Sequence, residues 1–288
     1  MSGRTLTAVN GLWAGLGNRI RFTLSAEALA VAEDRQFRYH WPTKRGLFEP
    51  AMTDLWHYDA PHVLDPPVPN LTDRPGRMSR SRSVPQLRGK AHWTILGASI
   101  LRGSGNEEDW ERGLQRLTPV VEVTQRVRVV SSALPEQYVG VQVRAARASH
   151  DRTLAASPVS WFITRMLELR AERPDVAFFL SCDDLDAEGE ITGSVPGVVT
   201  IGDKGGYNTV DGTRSAVADL YLLAGSDHLL GPHWSSFVEL AWALGGRAQV
   251  LETSVEHRVS RAGRQLEGPS ELHLRHPLLV ARDRLRPA

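Results

Sequence analysis

From Tyr138 onward the chain repeats one alternation, in which a short run of consecutive apolar residues is followed by a longer stretch with apolar residues every three or four positions. The runs are "YVGVQVR", "VAFFLSCDD", "GVVTIG", "HLLG" and "AQVLE". Runs this continuous belong to strands buried on both faces. Between them, "SPVSWFITRMLELRAERPD", "TRSAVADLYLLAGSD" and "SSFVELAWALGG" have helical spacing. Ser157 is placed to cap the first of these, Pro158 to open it, and a Gly to end the last. Strands that alternate with helices need crossover connections, and so a parallel sheet wrapped by helices. Residues 136–288 are therefore expected to form a doubly wound, Rossmann-like domain.

Ligands of such a sheet bind beyond the carboxyl ends of its strands. Gln142, Arg144 and Arg147 follow the first strand, Ser181, Asp183 and Asp184 the second, and His233, Ser235 and Ser236 the late short one. A guanidinium in the first crossover loop can bond phosphate oxygens bidentately. The "HWSSF" segment puts two hydroxyls and backbone amides at a helix N-terminus, which suits phosphate. Carboxylates at "SCDD" can accept from ribose hydroxyls or a base amino group. Together they suit a nucleoside diphosphate. Taken singly, each has a structural alternative: Ser235, Asp183 and Asp184 as caps or turn residues, Arg144 as the partner of a local acid such as Asp151. Two adjacent Asp with no third ligand are a poor metal set, and no metal is expected.

The amino-terminal segment "GLWAGLGNRIRFTLSAEALAVAEDRQF" places Gly11, Gly15 and Gly17 before and at the start of an apolar helix, with Asn18 and Arg19 directly behind them. Glycines let backbone approach a ligand closely, and the helix adds a positive end. The "QFRYHW" stretch then alternates like a strand, giving an α/β beginning to a first domain over residues 1–135. Within it, 61–90 is rich in Pro, Ser and Arg and reads as a mobile loop. Its Arg74, Arg77, Arg80, Arg82 and Arg88 either clamp an anionic substrate or RNA, or form a solvated segment. The "NEEDWERGLQRLTPVVEVTQRVRVVSSAL" stretch reads as a helix interrupted near Pro119 and resumed after it.

Lys and Arg number 34 against 33 Asp and Glu, a net charge of +1, so no overall charge drives the chain toward nucleic acid or anionic membrane. A single cysteine, Cys182, allows no intrachain disulfide. No apolar run is long enough for a bilayer, and the opening "MSGRTLTAVNGLW" lacks an apolar leader; a cytoplasmic protein is the expectation. Of eight Trp, Trp13, Trp41, Trp56, Trp93 and Trp110 lie in the first half, either as core packing or as floors for sugar rings.

In order, "GLGNRIR", "YVGVQVRAARASHD", "FFLSCDD" and "TRSAVADLYLLAGSDHLLGPHWSSFVELAWALGG" resemble the fucosyltransferase superfamily of α1,6-, nodulation and protein O-fucosyltransferases. The resemblance covers the opening forty residues and most of 138–246, and fades over 45–135. It implies a GT-B-like α/β fold, two Rossmann-like domains with a cleft between them, the acceptor in the first and GDP-fucose mainly in the second. It also implies an inverting, metal-independent glycosyltransferase that needs no cofactor beyond its GDP-sugar donor. The acceptor would be a hydroxyl on a small metabolite, an oligosaccharide or a peptide.

On the family pattern, the diphosphate-contacting Arg falls on Arg144, the donor-facing Asn of the glycine loop on Asn18, the guanosine acid on Asp183 or Asp184, and the phosphate-side serines on Ser235 and Ser236. Gly15, Gly17 and Arg19 complete the loop wall. Two positions depart from the pattern. Gln142 stands where the family often has His, and Arg147 where it often has an acid. Acceptor activation would fall to Asp151, with Glu49 and Asp54 as other candidates. The Gln142 and Arg147 departures also leave open a non-catalytic nucleotide- or glycan-binding protein on a degenerate transferase fold.

Overall fold

The computed structural model describes residues 3–72, 87, 89–101, 109–146, 151–233, 235–255 and 257–258; for 72, 151, 152, 257 and 258 it describes backbone alone. Arg74, Arg77, Arg80, Arg82, Arg88 and Arg147, and the Asp151 side chain, lie outside the described residues. The chain divides into two compact units, Met1–Val120 with Gly205–Thr213, and Val121–Lys204 with Arg214–Ala288.

The first unit is built on a parallel sheet of β1 (Thr5–Asn10), β2 (Gln36–His40), β4 (Leu71–Thr72) and β5 (His92–Gly97), in the order β2-β1-β5-β4. Two of these strands, "TLTAVN" and "HWTILG", fall in stretches that sequence reasoning left unassigned. The short β4 corrects the reading of 61–90 as loop throughout, since Leu71 and Thr72 pair with Ile95 and Leu96. Helix α1 (Leu16–Ala32) crosses from β1 to β2, burying Ile20, Phe22, Leu24 and Leu29. At Gly97 the contact is so close that an added Cβ would lie 2.3 Å from the Phe22 ring, so only glycine fits there. A two-stranded pair, β3 (Trp56–His57) with β6 (Thr118–Pro119), and α2 (Asp109–Arg116) complete the unit. Residues 205–213 belong to it through Asn208, which accepts from the Glu49 amide at 2.9 Å and donates from Nδ2 to Leu47 O at 2.6 Å.

The second unit holds a six-stranded sheet in the order β12-β11-β10-β7-β8-β9. Its strands are β7 (Val139–Val143), β8 (Phe178–Cys182), β9 (Val198–Thr200), β10 (His228–Gly231), β11 (Val250–Thr253) and β12 (His257–Arg258). All pairs are parallel except β11 with β12. From β7 the chain winds outward through β8 and β9, then returns to the other side of β7 at β10. The sheet therefore reverses its strand order between β7 and β10, which opens a crevice beyond their carboxyl ends. Every residue of β7 and β8 is buried, as the apolar runs require.

Helices α3 (Val121–Ser131), α4 (Asp151–Ala156), α5 (Val159–Glu172), α6 (Leu185–Ser194), α7 (Val210–Ala224, in this unit from Arg214 on) and α8 (Ser236–Leu244) accompany the sheet. Phe162, Met166 and Leu169 of α5 join Ala187 and Ile191 of α6 against Val139, Val141, Phe178 and Leu180. Fully burying each large side chain contributes about 1.5–3 kcal/mol. Two local readings need correction. Helix α6 is absent from the sequence reading, because only two of its residues are buried. Ser157 does not cap α5: α4 ends against it, Pro158 takes the cap position, and the Ser157 hydroxyl instead accepts from the His233 amide at 2.8 Å.

Candidate functional site

Strand β7 ends in Gln142 and Val143, and the chain turns away through Arg144. The turn has a built anchor. Asp183, one residue beyond β8, accepts from the Ala145 and Ala146 amides through Oδ1 at 2.8 and 3.0 Å, and its Oδ2 lies 3.5 Å from Arg144 Nε. Both side chains are partly exposed, so the pair's main effect is to fix where the guanidinium stands. Asp184 accepts from the Ala187 amide at 3.0 Å through Oδ1, capping α6; its Oδ2 has no protein partner among the described residues.

On the far side of the reversal, β10 ends at Gly231 and α8 begins at Ser236. Ser235 is buried and is the N-cap. Its Oγ accepts from the amides of Phe237 and Val238 at 3.3 and 3.4 Å, and donates to Gln142 Oε1 at 3.0 Å. This corrects the expectation that both serine hydroxyls meet phosphate, because Ser235 has spent its proton and its acceptor positions inside the fold. Ser236, half-buried, makes no side-chain hydrogen bond among the described residues and leaves the helix end able to donate. Gly231 is obligatory here: a Cβ would lie 2.4 Å from Val238 Cγ2.

Ser181, the next-to-last residue of β8, is buried. It donates to Asp219 Oδ2 at 2.8 Å, within a cluster that sequence reasoning missed. Lys204 Nζ lies 4.0 Å from that carboxylate and donates to Glu188 Oε2 at 2.8 Å and to Cys182 O at 3.2 Å. Burial pushes the Asp219 carboxyl up to about 6, against the opposing pull of Lys204 and of the Ser181 bond. Burial also opposes the Lys204 charge, but Asp219 and Glu188 outweigh it and raise its pKa. The cluster holds the Cys182 carbonyl, and so the backbone that leads into Asp183. Cys182 itself is buried, with a thiol pushed up to about 11, which keeps it protonated and inert. The signals were an Asp in the apolar face of "AVADLYLLA" and a Lys in a glycine-rich loop.

In the first unit the glycine loop stands at the carboxyl end of β1, where that sheet also reverses its order between β1 and β5. Gly15 caps α1 with no side-chain bond, and Gly17 is buried in its first turn. Asn18 accepts from Arg21 Nη2 at 2.8 Å; its own Nδ2 is uncommitted among the described residues. Arg19 departs from expectation. It is fully buried, with Nε on Ala14 O at 2.7 Å, Nη1 on Pro42 O at 2.8 Å and Nη2 on Leu12 O at 3.0 Å, and with Phe48 and Trp41 against the guanidinium. Burial lowers its pKa to about 10, so it stays charged at neutral pH, but it organises the loop from within and offers nothing to a ligand.

Of the other base candidates, Glu49 accepts from the Gly46 amide at 3.1 Å and Asp54 from the Ala51 amide at 2.8 Å, so each closes a local turn. Asp151 begins α4. Trp41, Trp56, Trp93 and Trp110 are core residues, whereas Trp13 is 82% exposed. Among the described residues no group of three or more His, Cys, Asp or Glu has the geometry of a metal site, and no helix is long and apolar enough to cross a membrane.

No protein-family model matches the chain, and no curated protein matches it in sequence. Solved structures do match in fold. The fucosyltransferase NodZ from Bradyrhizobium is similar over 83% of this chain and 92% of its own, with 19% identity and a TM-score of 0.59. NodZ α-1,6-fucosyltransferase soaked with GDP-fucose gives the same identity and coverage with a TM-score of 0.60. POFUT1 in complex with GDP is similar over 88% of this chain and 99% of its own, at 11% identity and a TM-score of 0.58. For a variant of Arabidopsis thaliana FUT1 in complex with GDP the values are 87% and 70%, 15% and 0.52. The chain thus has the GT-B-like α/β fold, built on parallel sheets, of solved fucosyltransferases.

Proposed function

We propose that this chain is a glycosyltransferase that transfers a sugar, fucose by the likeness to structures holding GDP-fucose or GDP, from a GDP-sugar to a hydroxyl acceptor, with inversion and without a metal. The observation that carries the reading is the pairing of Arg144 and the α8 amino end on the two sides of the β7/β10 reversal, where an α/β sheet takes its ligands.

Transfer breaks the bond between the sugar's anomeric carbon and the β-phosphate oxygen; the electron pair leaves with the diphosphate as the acceptor oxygen attacks from the opposite face. Negative charge grows on the leaving group. A guanidinium pre-positioned by Asp183, together with the Ser236 end of α8, stabilises that charge more in the transition state than before it. Asp184 Oδ2 is the carboxylate oxygen left for the guanosine, and Asp183 acts through the Arg144 turn. In the first unit Asn18 Nδ2 serves as a donor at the glycine loop, with Gly15 and Gly17 keeping backbone close. Asp151 is the candidate acceptor base, and Arg147 a second cation after β7.

Calorimetric titration with GDP, UDP, ADP and CMP, with no added metal, tests the reading. Selective GDP binding that disappears in Arg144→Ala supports it, and binding of none of the four overturns it. Gln142, locked against Ser235 and unable to carry a proton, favours a second reading, donor binding without turnover. GDP binding with no transfer or donor hydrolysis across an acceptor panel would establish that alternative.

A further inference from the structure

Trp13 lies between Leu12 and Ala14, the two residues whose carbonyls Arg19 holds at 3.0 and 2.7 Å. The Ala14 amide also donates to Gly11 O at 3.1 Å, and the Gly11 amide to Gly97 O at 3.0 Å. The backbone on both sides of the indole is thus pinned to the fold. An apolar ring on an ordinary loop escapes water by folding back against its neighbours, a gain of about 1.5–3 kcal/mol for a large side chain. Here Trp13 stays 82% exposed as a residue, while Trp41, Trp56, Trp93 and Trp110 are all under 5%. Burying the Arg19 guanidinium under Phe48 and Trp41 carries a desolvation cost, visible in its lowered pKa, and what it secures is the loop that displays Trp13.

The residue's place in the fold is also specific. Trp13 follows the end of β1 by three positions, on the loop at the carboxyl side of that strand, where the first sheet reverses its order and where ligands of parallel sheets bind. Among the described residues none fills the space at Gly15, where an added Cβ would meet no atom within 4 Å. The loop offers a guest the exposed Trp13, the exposed backbone of Gly15 and, five positions after Trp13, an Asn18 Nδ2 that is uncommitted among the described residues. A pyranose has matching chemistry, with an apolar C–H face and a rim of hydroxyls.

We propose that Trp13 is a stacking platform for a sugar ring, and that the acceptor class is therefore carbohydrate. The inference rests on the transferase reading for its use of the word acceptor, and its test is independent of the donor. Wild type, Trp13→Phe and Trp13→Ala are titrated with cellobiose, lactose and N,N′-diacetylchitobiose, followed by ligand-observed NMR, with a parallel GDP titration and thermal melts. Expected is saturable millimolar binding of at least one disaccharide, weakened at least tenfold in Trp13→Ala and restored to within about threefold in Trp13→Phe, with GDP affinity and melting unchanged.

Three results overturn it: no disaccharide binding to the wild type, binding indifferent to Trp13→Ala, or a Trp13-dependent dimer by sedimentation with no disaccharide binding, which would make the ring an interface between copies. GDP binding without disaccharide binding defeats this inference alone. Trp13-dependent disaccharide binding without GDP binding defeats the donor reading and leaves this one standing.

Discussion

The carboxamide oxygen of Gln142 accepts the Ser235 hydroxyl at 3.0 Å, joining the carboxyl end of strand β7 to the cap of α8 across the point where the sheet reverses. Both residues are buried, so neither can exchange its partner for water. Gln142→Leu and Ser235→Ala should each lower stability by about 1–3 kcal/mol, the first by orphaning a hydroxyl and the second by orphaning a carbonyl and removing the cap. The double variant should lose less than the sum, with a coupling of about 1 kcal/mol. Urea unfolding of the four proteins measures this, and strict additivity would mean the bond contributes nothing.

Arg144 and Asp183 should separate by role. Arg144→Ala is expected to reduce turnover about 100-fold or more, since it removes charge from the leaving-group side. Asp183→Ala frees the Ala145 and Ala146 amides and loosens the turn; it should weaken GDP binding and also lower the melting temperature. Arg144→Lys should restore little, because an ammonium lacks the planar fork. Steady-state kinetics with thermal melts distinguishes them; equal melting losses in all three would remove the distinction.

Arg19→Lys should destabilise the first unit by about 2–4 kcal/mol, because one ammonium cannot meet three carbonyls in the guanidinium plane. The companion observable is Trp13 fluorescence, followed in a background that retains this indole, which should shift as the loop loses its pins. A neutral Arg19→Lys would show that the carbonyls find water instead.

Asp219 gives a signed pH dependence. Its carboxyl titrates near 6 in the folded chain against an ordinary 3.8, so the folded state holds the proton more tightly. That contribution is fully present below about pH 3.8 and is lost as pH rises through about 6, amounting to about 3 kcal/mol. Asp219→Asn, which can still accept from Ser181, should gain stability relative to wild type across pH 4–7 and then level off. Unfolding free energies at half-unit intervals test this; a flat difference between the two proteins contradicts the assigned pKa.

Gly231→Ala should lower GDP affinity more than tenfold with only about 1–3 kcal/mol lost from stability, since the methyl drives α8 outward through Val238 and moves the Ser236 amino end. Calorimetry read beside urea unfolding decides it. Unchanged GDP affinity would place the nucleotide away from α8.

The second unit was readable because strands covered on both faces record their burial as apolar runs, and β7, β8, β10 and β11 stand where those runs are. Strands β1 and β5 begin on Thr and His and mix polar with apolar residues, so they lack that mark. Helix α6 turns only Ala187 and Ile191 inward, too few to set a period. At the site, residue types were legible and their commitments were not. Nothing in "HWSSF" says that the first Ser is spent on Gln142, 93 positions earlier, or in "GLGNR" that the Arg turns inward to Leu12, Ala14 and Pro42. Such pairings are settled by three-dimensional packing, which local spacing does not encode.

The return of residues 205–213 to the first unit has a consequence for how the protein is made. When residue 120 leaves the ribosome, the Lys44–Glu49 turn still lacks the Asn208 bonds that close on Leu47 and Glu49. At about 5–20 residues per second, the missing segment is synthesised roughly 5–20 s later. Most of the second unit's β7–β9 half is threaded out in that interval. The nascent amino-terminal half is thus exposed to chaperones and proteases in an unfinished form, and a fragment cut at residue 120 would keep that vulnerability permanently.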